Sequence, residues 1–392
     1  MVVWCQTMTT THIPGFTTLG GKHCQTASLR HTLHHFGCFA SEEMLLGLGG
    51  GIGFIYWYAK NMNAPFIGTR GAKSDDFFAK AAERVGASAS VRHTTSEKKA
   101  HAALISQLEE GIPTIVYADM AHLPYMYMPP KSHFGEHTVT VFSLDEKTQE
   151  VMVADRSKYP FTLTIGELRA ARGSTAPPFP ARNRWIEMEV PDEWGITVDA
   201  LKASILECAN GMLDPPISNL GLAGMEKWAM TIPKWPAMFS EESLFECLYN
   251  TMLYIEQAGT GGSAFRKMYA SFLREAFEWV CHDALIKAAE DFDEAALMWS
   301  DIANVALPED WDAAYKVRSL TEEQSRVFEE QGPEALKQLE WLSEAIEEAI
   351  WDASQTVEQH FTVERIEELQ KSIRTCRALE HDACLSLRNA VK

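Results

Sequence analysis

Patterns typical of β-strands are confined to the first half of this chain of 392 residues, and the second half shows helical patterns only. Runs rich in β-branched residues lie at 113–118, 137–144 and 150–154, with further candidates at 161–165 and 184–190. Residues 145–149 separate two of these runs and are typical of a hairpin turn. Because strands joined by short turns pair antiparallel, the sequence predicts an α+β fold followed by an all-helical domain.

Helical patterns also precede the strands. We predict helices at 25–36, where Gly37 follows as a typical C-terminal stop, and at 75–85 and 96–110. A stretch rich in proline and small residues at 173–182 is typical of a connecting segment. We therefore predict two domains, 1–185 and 186–392, the second of them helical.

The two predicted domains differ in charge. The chain has 35 basic and 54 acidic residues, so its net charge is −19. The first 185 residues contain 18 basic and 15 acidic residues, whereas the remainder contains 17 and 39. This asymmetry favours two units with different tasks. The acidity argues against nucleic acid and against anionic membranes as partners.

The cysteines and the apolar runs indicate where the protein is found. Eight cysteines are spread along the chain without a CxxC pair, which is typical of free thiols in a reducing compartment. The first residues lack the charged and apolar regions of a signal peptide, and no run approaches the length of a membrane span. We therefore expect a cytoplasmic protein.

Three residues have contexts that suit catalysis. Cys24 falls in the first turn of the predicted helix, where exposed N–H groups, the helix dipole and the neighbours Lys22 and His23 favour a thiolate. His137 opens one predicted strand and Asp155 closes the next, so a hairpin places them side by side. A helix packed on that sheet would complete a thiol–imidazole–carboxylate arrangement.

The order and context of these three residues resemble the papain-like superfamily, particularly its bacteriocin-processing peptidases. The motifs His23-Cys24, Gly135-Glu-His137 and the glycine-rich residues 41–54 resemble the butirosin-biosynthesis H protein family more specifically. Residues 261–276 (Gly-Gly-Ser-Ala-Phe-Arg-Lys-Met-Tyr-Ala-Ser-Phe-Leu-Arg-Glu-Ala) resemble the C-terminal domain of that family. The resemblance implies a papain-like α+β domain at 1–185 with a helical domain after it.

The resemblance also implies a reaction. It is acyl transfer through a cysteine thioester, which joins an acyl group from a carrier protein or coenzyme A to an amine. By position, Cys24 would be the nucleophile, His137 the general base and then acid, and Asp155 the residue that orients the imidazole. We expect no metal and no cofactor. The expected partners are the thioester donor, the amine acceptor and a second copy that binds through the helical domain. If the donor is an acidic carrier protein, we expect it to dock near Arg70, Lys73 or Arg156.

Further residues are assigned with less support from motifs. Papain-like peptidases place a glutamine of the oxyanion hole six residues before the cysteine, and this chain has Thr18 there. The expected oxyanion donors are therefore the Cys24 N–H and Gln25. We expect Glu43, Tyr56 and Arg156 to line the substrate site. The glycine-rich run 47–53 is interpreted as a flexible segment of the cleft.

Other functions remain open at this stage. The same three residues would serve an amide hydrolase or peptidase, and a papain-like fold without activity would serve as a binding protein. A hydrolase with an N-terminal nucleophile would need cleavage before Cys24. His133-Phe-Gly-Glu136-His137 matches a zinc peptidase spacing, but Gly135 and the following strand argue against the single helix that this motif requires.

Overall fold

The computed structural model of this chain describes residues 10–60, 62–71, 74–129 and 131–391. The N-terminal residues interpreted for targeting, Cys5 and the proposed docking residue Lys73 lie outside the described residues. The strands, in chain order, are β1 (Thr10–His12), β2 (Ile52–Trp57), β3 (Phe66–Arg70), β4 (Ser88–Arg92), β5 (Thr114–Ala118), β6 (His137–Asp145), β7 (Glu150–Ala154), β8 (Phe161–Thr164) and β9 (Trp185–Glu189).

Helices occur along the whole described chain and dominate after β9. They are α1 (Cys24–His35), α2 (Glu42–Leu48), α3 (Ser74–Arg84), α4 (Glu97–Glu109), α5 (Ile165–Gly173), α6 (Val198–Leu213), α7 (Gly221–Thr231), α8 (Trp235–Met238), α9 (Glu241–Met252), α10 (Arg266–Val280), α11 (Ala284–Ala306), α12 (Asp312–Gln331), α13 (Leu336–Ser354), α14 (Val357–His360) and α15 (Val363–Ala390). In the described part of the chain, none of them is both long and apolar enough to cross a membrane.

The predicted α+β organisation is confirmed, with an antiparallel sheet and a helical C-terminal region. The five predicted strands appear as β5 to β9, each within one residue of the expected ends. The strands β1 to β4 were not predicted. The sequence pattern predicts one helix over residues 264–290, but it is broken between α10 and α11, where Cys281 adopts a left-handed conformation with φ 52°.

The described residues form two compact units. The first consists of the described residues within the ranges Met1–Glu42, Ala87–Trp194 and Arg326–Ser343. Its antiparallel sheet has the order β4-β9-β5-β6-β7-β8, and β1 pairs with β6. Helix α1 packs against β6, while α4 and α5 contact β5. The strand β5 is buried at every position and is therefore covered in part by these helices.

The second unit consists of Glu43–Gly86, Gly195–Ser325 and Glu344–Lys392. Its long helices α10, α11 and α15 pack together, and the hairpin β2–β3 belongs to it. A fully buried Arg266 pairs with Glu380 through two hydrogen bonds of 2.6 and 2.9 Å. The same guanidinium donates to the carbonyl oxygens of Gly53 and Thr69, so it ties the hairpin to the helices.

Each unit thus contains segments from both halves of the sequence, whereas we expected a single division after Trp185. The physical reason is that the hairpin β2–β3 buries its apolar residues against helices from the C-terminal half. That 1–185 and 186–392 act as separate domains stays a prediction. The glycine-rich run is also different from expectation: it is buried, and Gly47 and Gly49 make room for the rings of Phe272 and Phe77.

Candidate active site

Cys24 is the first residue of helix α1 and is half-buried. The helix is capped by His23, whose side chain accepts a hydrogen bond from the Thr26 N–H. The His137 imidazole and the Thr138 backbone are the neighbouring groups that favour the thiolate. Burial opposes ionisation, but the hydrogen bond and the charge of His137 outweigh it, so the pKa of Cys24 is lowered.

The other buried cysteines have the opposite electrostatic environment. Burial raises the pKa of the thiols at Cys38, Cys208, Cys247, Cys376 and Cys384. These side chains are the small packing residues that the sequence predicts for most of its cysteines. Ionisation is therefore favoured at the start of α1 and opposed at these five positions.

His137 and Asp155 lie together, where the hairpin pattern predicts them. His137 is the first residue of β6, and Asp155 follows directly after β7. Their side chains are buried, and Nε2 of His137 is 2.8 Å from Oδ2 of Asp155. This bond leaves Nδ1 as the imidazole nitrogen available to the Cys24 thiol. Burial disfavours the imidazolium, but the charge and hydrogen bond of Asp155 outweigh it and raise the pKa of His137.

The Asp155 carboxylate is saturated with donors. Its Oδ2 accepts from the Tyr125 hydroxyl at 3.0 Å as well as from His137, and its Oδ1 accepts from the Arg156 N–H at 2.7 Å. Burial acts against the charged form, yet the charge and hydrogen bond of His137 lower the pKa of Asp155 further than burial raises it. The carboxylate is therefore a fixed anion that orients the imidazole.

A polar seam sets the position of α1 against β6. Ser28 lies one turn after Cys24 on the same face of the helix. Its hydroxyl donates to Oγ1 of Thr138 at 3.2 Å, and the hydroxyl of Thr140 donates to the Ser28 carbonyl oxygen at 3.2 Å. All three residues are buried. Because Thr138 is next to His137, this seam fixes the nucleophile and the imidazole relative to each other.

Glu42 supports the turn before the nucleophile, and the sequence reasoning missed it. Its buried carboxylate accepts from the backbone N–H groups of Lys22 at 2.9 Å and His23 at 2.8 Å, and from the Thr26 hydroxyl at 2.7 Å. We selected the neighbouring Glu43 instead, because a run of two acidic residues after Ser41 indicates only a helix start. No local pattern reveals that the first of them reaches α1.

The expected oxyanion residues lie on the first turn of α1. The N–H groups of Lys22 and His23 donate to Glu42, and Cys24 and Gln25 follow them as the first two residues of α1. The Gln25 side chain is buried, and its role stays a prediction. Thr18 does not replace the missing glutamine, since its hydroxyl donates to the Lys158 carbonyl oxygen at 2.8 Å.

The three expected substrate-lining residues fall in different units. Arg156 is in the first unit, adjacent to Asp155, and its side chain is largely covered. Glu43 and Tyr56 belong to the second unit. Tyr56 is 2% exposed and its hydroxyl accepts from the indole N–H of Trp235, an environment typical of a core residue. That these residues line a substrate site stays a prediction.

The zinc-peptidase spacing at His133 to His137 does not correspond to a metal site. His137 bonds Asp155, and Glu136 pairs with Arg184 at 2.6 Å. His133 points elsewhere, with Nδ1 2.8 Å from Oδ2 of Asp119. The backbone strand that begins at His137 separates the members of the motif, as the sequence predicts.

One group of side chains could together hold a metal ion among the described residues. It comprises Asp119, His122 and His133, whose candidate ligand atoms lie within 4.8 Å of one another. Asp119 already accepts hydrogen bonds from the Ala121 and Phe134 N–H groups, the His133 ring and the Ser174 hydroxyl. These four hydrogen bonds show that the Asp119 carboxylate stabilises this loop. The expected absence of a metal stays a prediction.

Comparison with known families agrees with the motifs. Residues 23–156 match the family described as butirosin biosynthesis protein H, N-terminal, a range that contains Cys24, His137 and Asp155. Residues 166–331 match a domain of unknown function (DUF4872). No curated protein matching the chain was found. The N-terminal region of the chain therefore matches the butirosin biosynthesis protein H-like family.

Proposed function

We propose that this protein is a cysteine-dependent acyltransferase that forms an amide from an acyl thioester and an amine in a biosynthetic pathway. The observation that carries the proposal is the arrangement of Cys24, His137 and Asp155 in the first unit. The family name, which refers to the biosynthesis of butirosin, supports a biosynthetic reaction. A papain-like assignment of this unit is part of the proposal, because a helix that begins with the nucleophile packs on the antiparallel strand that begins with the histidine.

The first half-reaction loads the enzyme. The Cys24 thiolate adds to the carbonyl carbon of the donor thioester, and a new carbon–sulfur bond forms. The bond from that carbon to the donor sulfur breaks, and the His137 imidazolium protonates the departing thiolate. A thioester donor suits this step because one thioester replaces another, so little free energy is lost before the amine arrives.

The second half-reaction forms the product. The amine nitrogen adds to the carbonyl carbon of the acyl-enzyme, and the bond to Sγ of Cys24 breaks. Neutral His137 accepts the proton that the amine loses, which restores the thiolate–imidazolium pair. The fixed Asp155 anion stabilises the imidazolium in this step.

Both half-reactions pass through a tetrahedral oxyanion. We assign its stabilisation to the backbone N–H groups of Cys24 and Gln25, at the positive end of the α1 dipole. Removal of one such donor in a hydrolase typically costs about 10²–10³ in kcat.

The partners follow from charge and chemistry. We propose an acyl carrier protein or coenzyme A as the thioester donor and a cationic amine as the acceptor. Residues 186–392 contain 17 basic and 39 acidic residues, and such a field attracts a cationic substrate over a long range. A salt-independent KM for the amine would contradict this steering. Cytoplasmic location and dimer formation through the helical region are further parts of the proposal.

Intact-mass analysis tests the reaction. The protein is incubated with acetyl-coenzyme A and with short acyl thioesters of N-acetylcysteamine, and the acyl adduct is mapped by peptide mass. We expect an adduct on Cys24 that is discharged by primary amines, an aminoglycoside among them, faster than by water. Cys24→Ala abolishes both steps, whereas Cys281→Ala, which changes an exposed cysteine, leaves them unchanged. Turnover by folded Cys24→Ala would refute the mechanism, and discharge by water alone would favour a hydrolase.

A further inference from the structure

The first unit contains a segment that arrives from the C-terminal half of the sequence. We call Arg326–Ser343 the returning segment; it comprises the end of α12, a turn at Gly332–Ala335 and the start of α13. Its first residues also fall within the match to the domain of unknown function, which ends at residue 331. Three sets of contacts join this segment to the residues around Asp155.

An aromatic stack forms the first set. The Tyr125 ring lies parallel to the Phe161 ring, with centroids 3.9 Å apart. Phe328 of the returning segment stacks on Phe161 at 5.3 Å and on Tyr125 at 6.2 Å. Phe328 is 5% exposed, and Tyr125 donates its hydroxyl hydrogen bond to Asp155. The stack therefore sets the position of the hydroxyl that bonds the proposed catalytic carboxylate.

A charged contact forms the second set. The Glu329 carboxylate pairs with the Lys22 ammonium, two residues before Cys24, and lies 3.9 Å from the Arg156 guanidinium, one residue after Asp155. The same guanidinium lies over the Phe328 ring, 5.1 Å from its centroid. One glutamate thus touches both chain segments that carry the proposed nucleophile and carboxylate.

Backbone contacts form the third set. The Lys158 N–H donates to the Glu329 carbonyl oxygen at 3.1 Å. Gly332 has a φ of +54°, and a Cβ there would lie 2.4 Å from Oγ of Ser157. The Ser343 hydroxyl donates to the Tyr127 carbonyl oxygen at 2.6 Å. The segment therefore lies close against residues 157–158 at one end and against Tyr127 at the other.

We propose that Phe328 and Glu329 are positioning residues for the Cys24–His137–Asp155 site, and that the returning segment is a required part of the catalytic unit. This inference rests on the proposed function. The segment acts through Tyr125, whose hydroxyl donates to Oδ2 of Asp155, and through Arg156, whose backbone N–H donates to Oδ1. The end of the region that matches the domain of unknown function would thereby support the proposed catalytic site, which lies in the N-terminal match.

The test compares charge and ring variants of the full-length chain. Glu329→Gln keeps the size of the side chain, and Phe328→Leu keeps its apolar character while removing the stacking. Glu330→Gln is the matched control, because Glu330 is exposed and pairs with Arg326 of its own helix. Circular dichroism and thermal unfolding establish that each variant is folded before its activity is compared.

The readout is the rate of Cys24 alkylation by iodoacetamide as a function of pH, followed by peptide mass, together with kcat and KM for acyl transfer. We expect Glu329→Gln and Phe328→Leu to lower alkylation at pH 6.5 by at least threefold, to move its acidic limb to higher pH, and to lower kcat more than KM changes. Glu330→Gln should match the parent chain. If the folded variants show the pH profile of the parent chain, the inference is overturned while the proposed function stands. If Cys24 of the parent chain is itself unreactive, the proposed function is refuted.

Discussion

Replacement of Asp155 by asparagine tests the proposed site most directly. All three neighbours of this carboxylate are donors: His137, Tyr125 and the Arg156 N–H. An asparagine has one acceptor oxygen and one NH₂ group, so its NH₂ must face at least one of these donors. The substitution therefore keeps the shape of the side chain but leaves a buried donor unpaired and removes the charge that stabilises the imidazolium.

The magnitude follows from these two losses. A hydrogen bond to a charged group contributes about 1.5–3 kcal/mol, and an unsatisfied buried donor costs about 1–3 kcal/mol. Both losses affect the same group and do not add in full. We therefore expect the substitution to raise the activation free energy by about 2–4 kcal/mol. Because 1.36 kcal/mol corresponds to a factor of ten in rate, Asp155→Asn should lower kcat/KM for acyl transfer roughly 30- to 1,000-fold.

The assay separates electrostatics from folding. The Asp155→Asn chain is alkylated with iodoacetamide between pH 5 and 9, in parallel with measurement of acyl transfer. Loss of the anion lowers the pKa of His137, so the thiolate at Cys24 is stabilised less and its alkylation requires higher pH. Asp145→Asn is the control, because that partly exposed aspartate lies at the hairpin turn, at the other end of β6 from His137. A folded Asp155→Asn chain with the parent profile and rate would refute the role of this carboxylate.

Three further outcomes are expected. Since the pKa of Cys24 is lowered, its alkylation in the parent chain should persist below the pH at which an ordinary thiol ionises. Loss of labelling at that pH would contradict a thiolate–imidazolium pair of Cys24 and His137. Glu42→Gln should lower the free energy of unfolding in urea by about 1–3 kcal/mol and slow that alkylation, whereas Glu43→Gln should change neither. Glu380→Gln leaves the buried Arg266 charge unpaired and should destabilise the second unit by about 3–5 kcal/mol in urea unfolding, and unchanged stability would contradict the assigned role of the pair.

The sequence predicted those features that depend on local pattern. The cysteine at a helix start, the histidine at a strand start and the aspartate at the next strand end were each recognisable from their neighbours, because hairpin geometry relates the last two within a short stretch. Strand ends were close to expectation for the same reason. The break at Cys281 was missed, since its left-handed conformation is uncommon for a residue other than glycine and no local pattern indicates it.

Supporting residues could not be predicted in this way. Glu42 reaches the turn before Cys24, and Phe328 packs on Tyr125, although each pair is distant in sequence. The glycine-rich run gave a misleading indication, because small residues serve close packing against Phe77 and Phe272 as well as they serve a mobile loop. Residue type alone does not distinguish these uses.

The sequence by itself determined the α+β fold class, the resemblance to the family and the three residues of the proposed site. Periodicity, turn residues and short motifs each depend on only a few neighbouring positions. Only the tertiary structure decided which remote segments complete that site. Glu42 and the returning segment Arg326–Ser343 are brought to Cys24 and Asp155 by packing between distant parts of the chain. Such contacts depend on how buried surfaces fit together, and a linear pattern of residue types does not specify that fit.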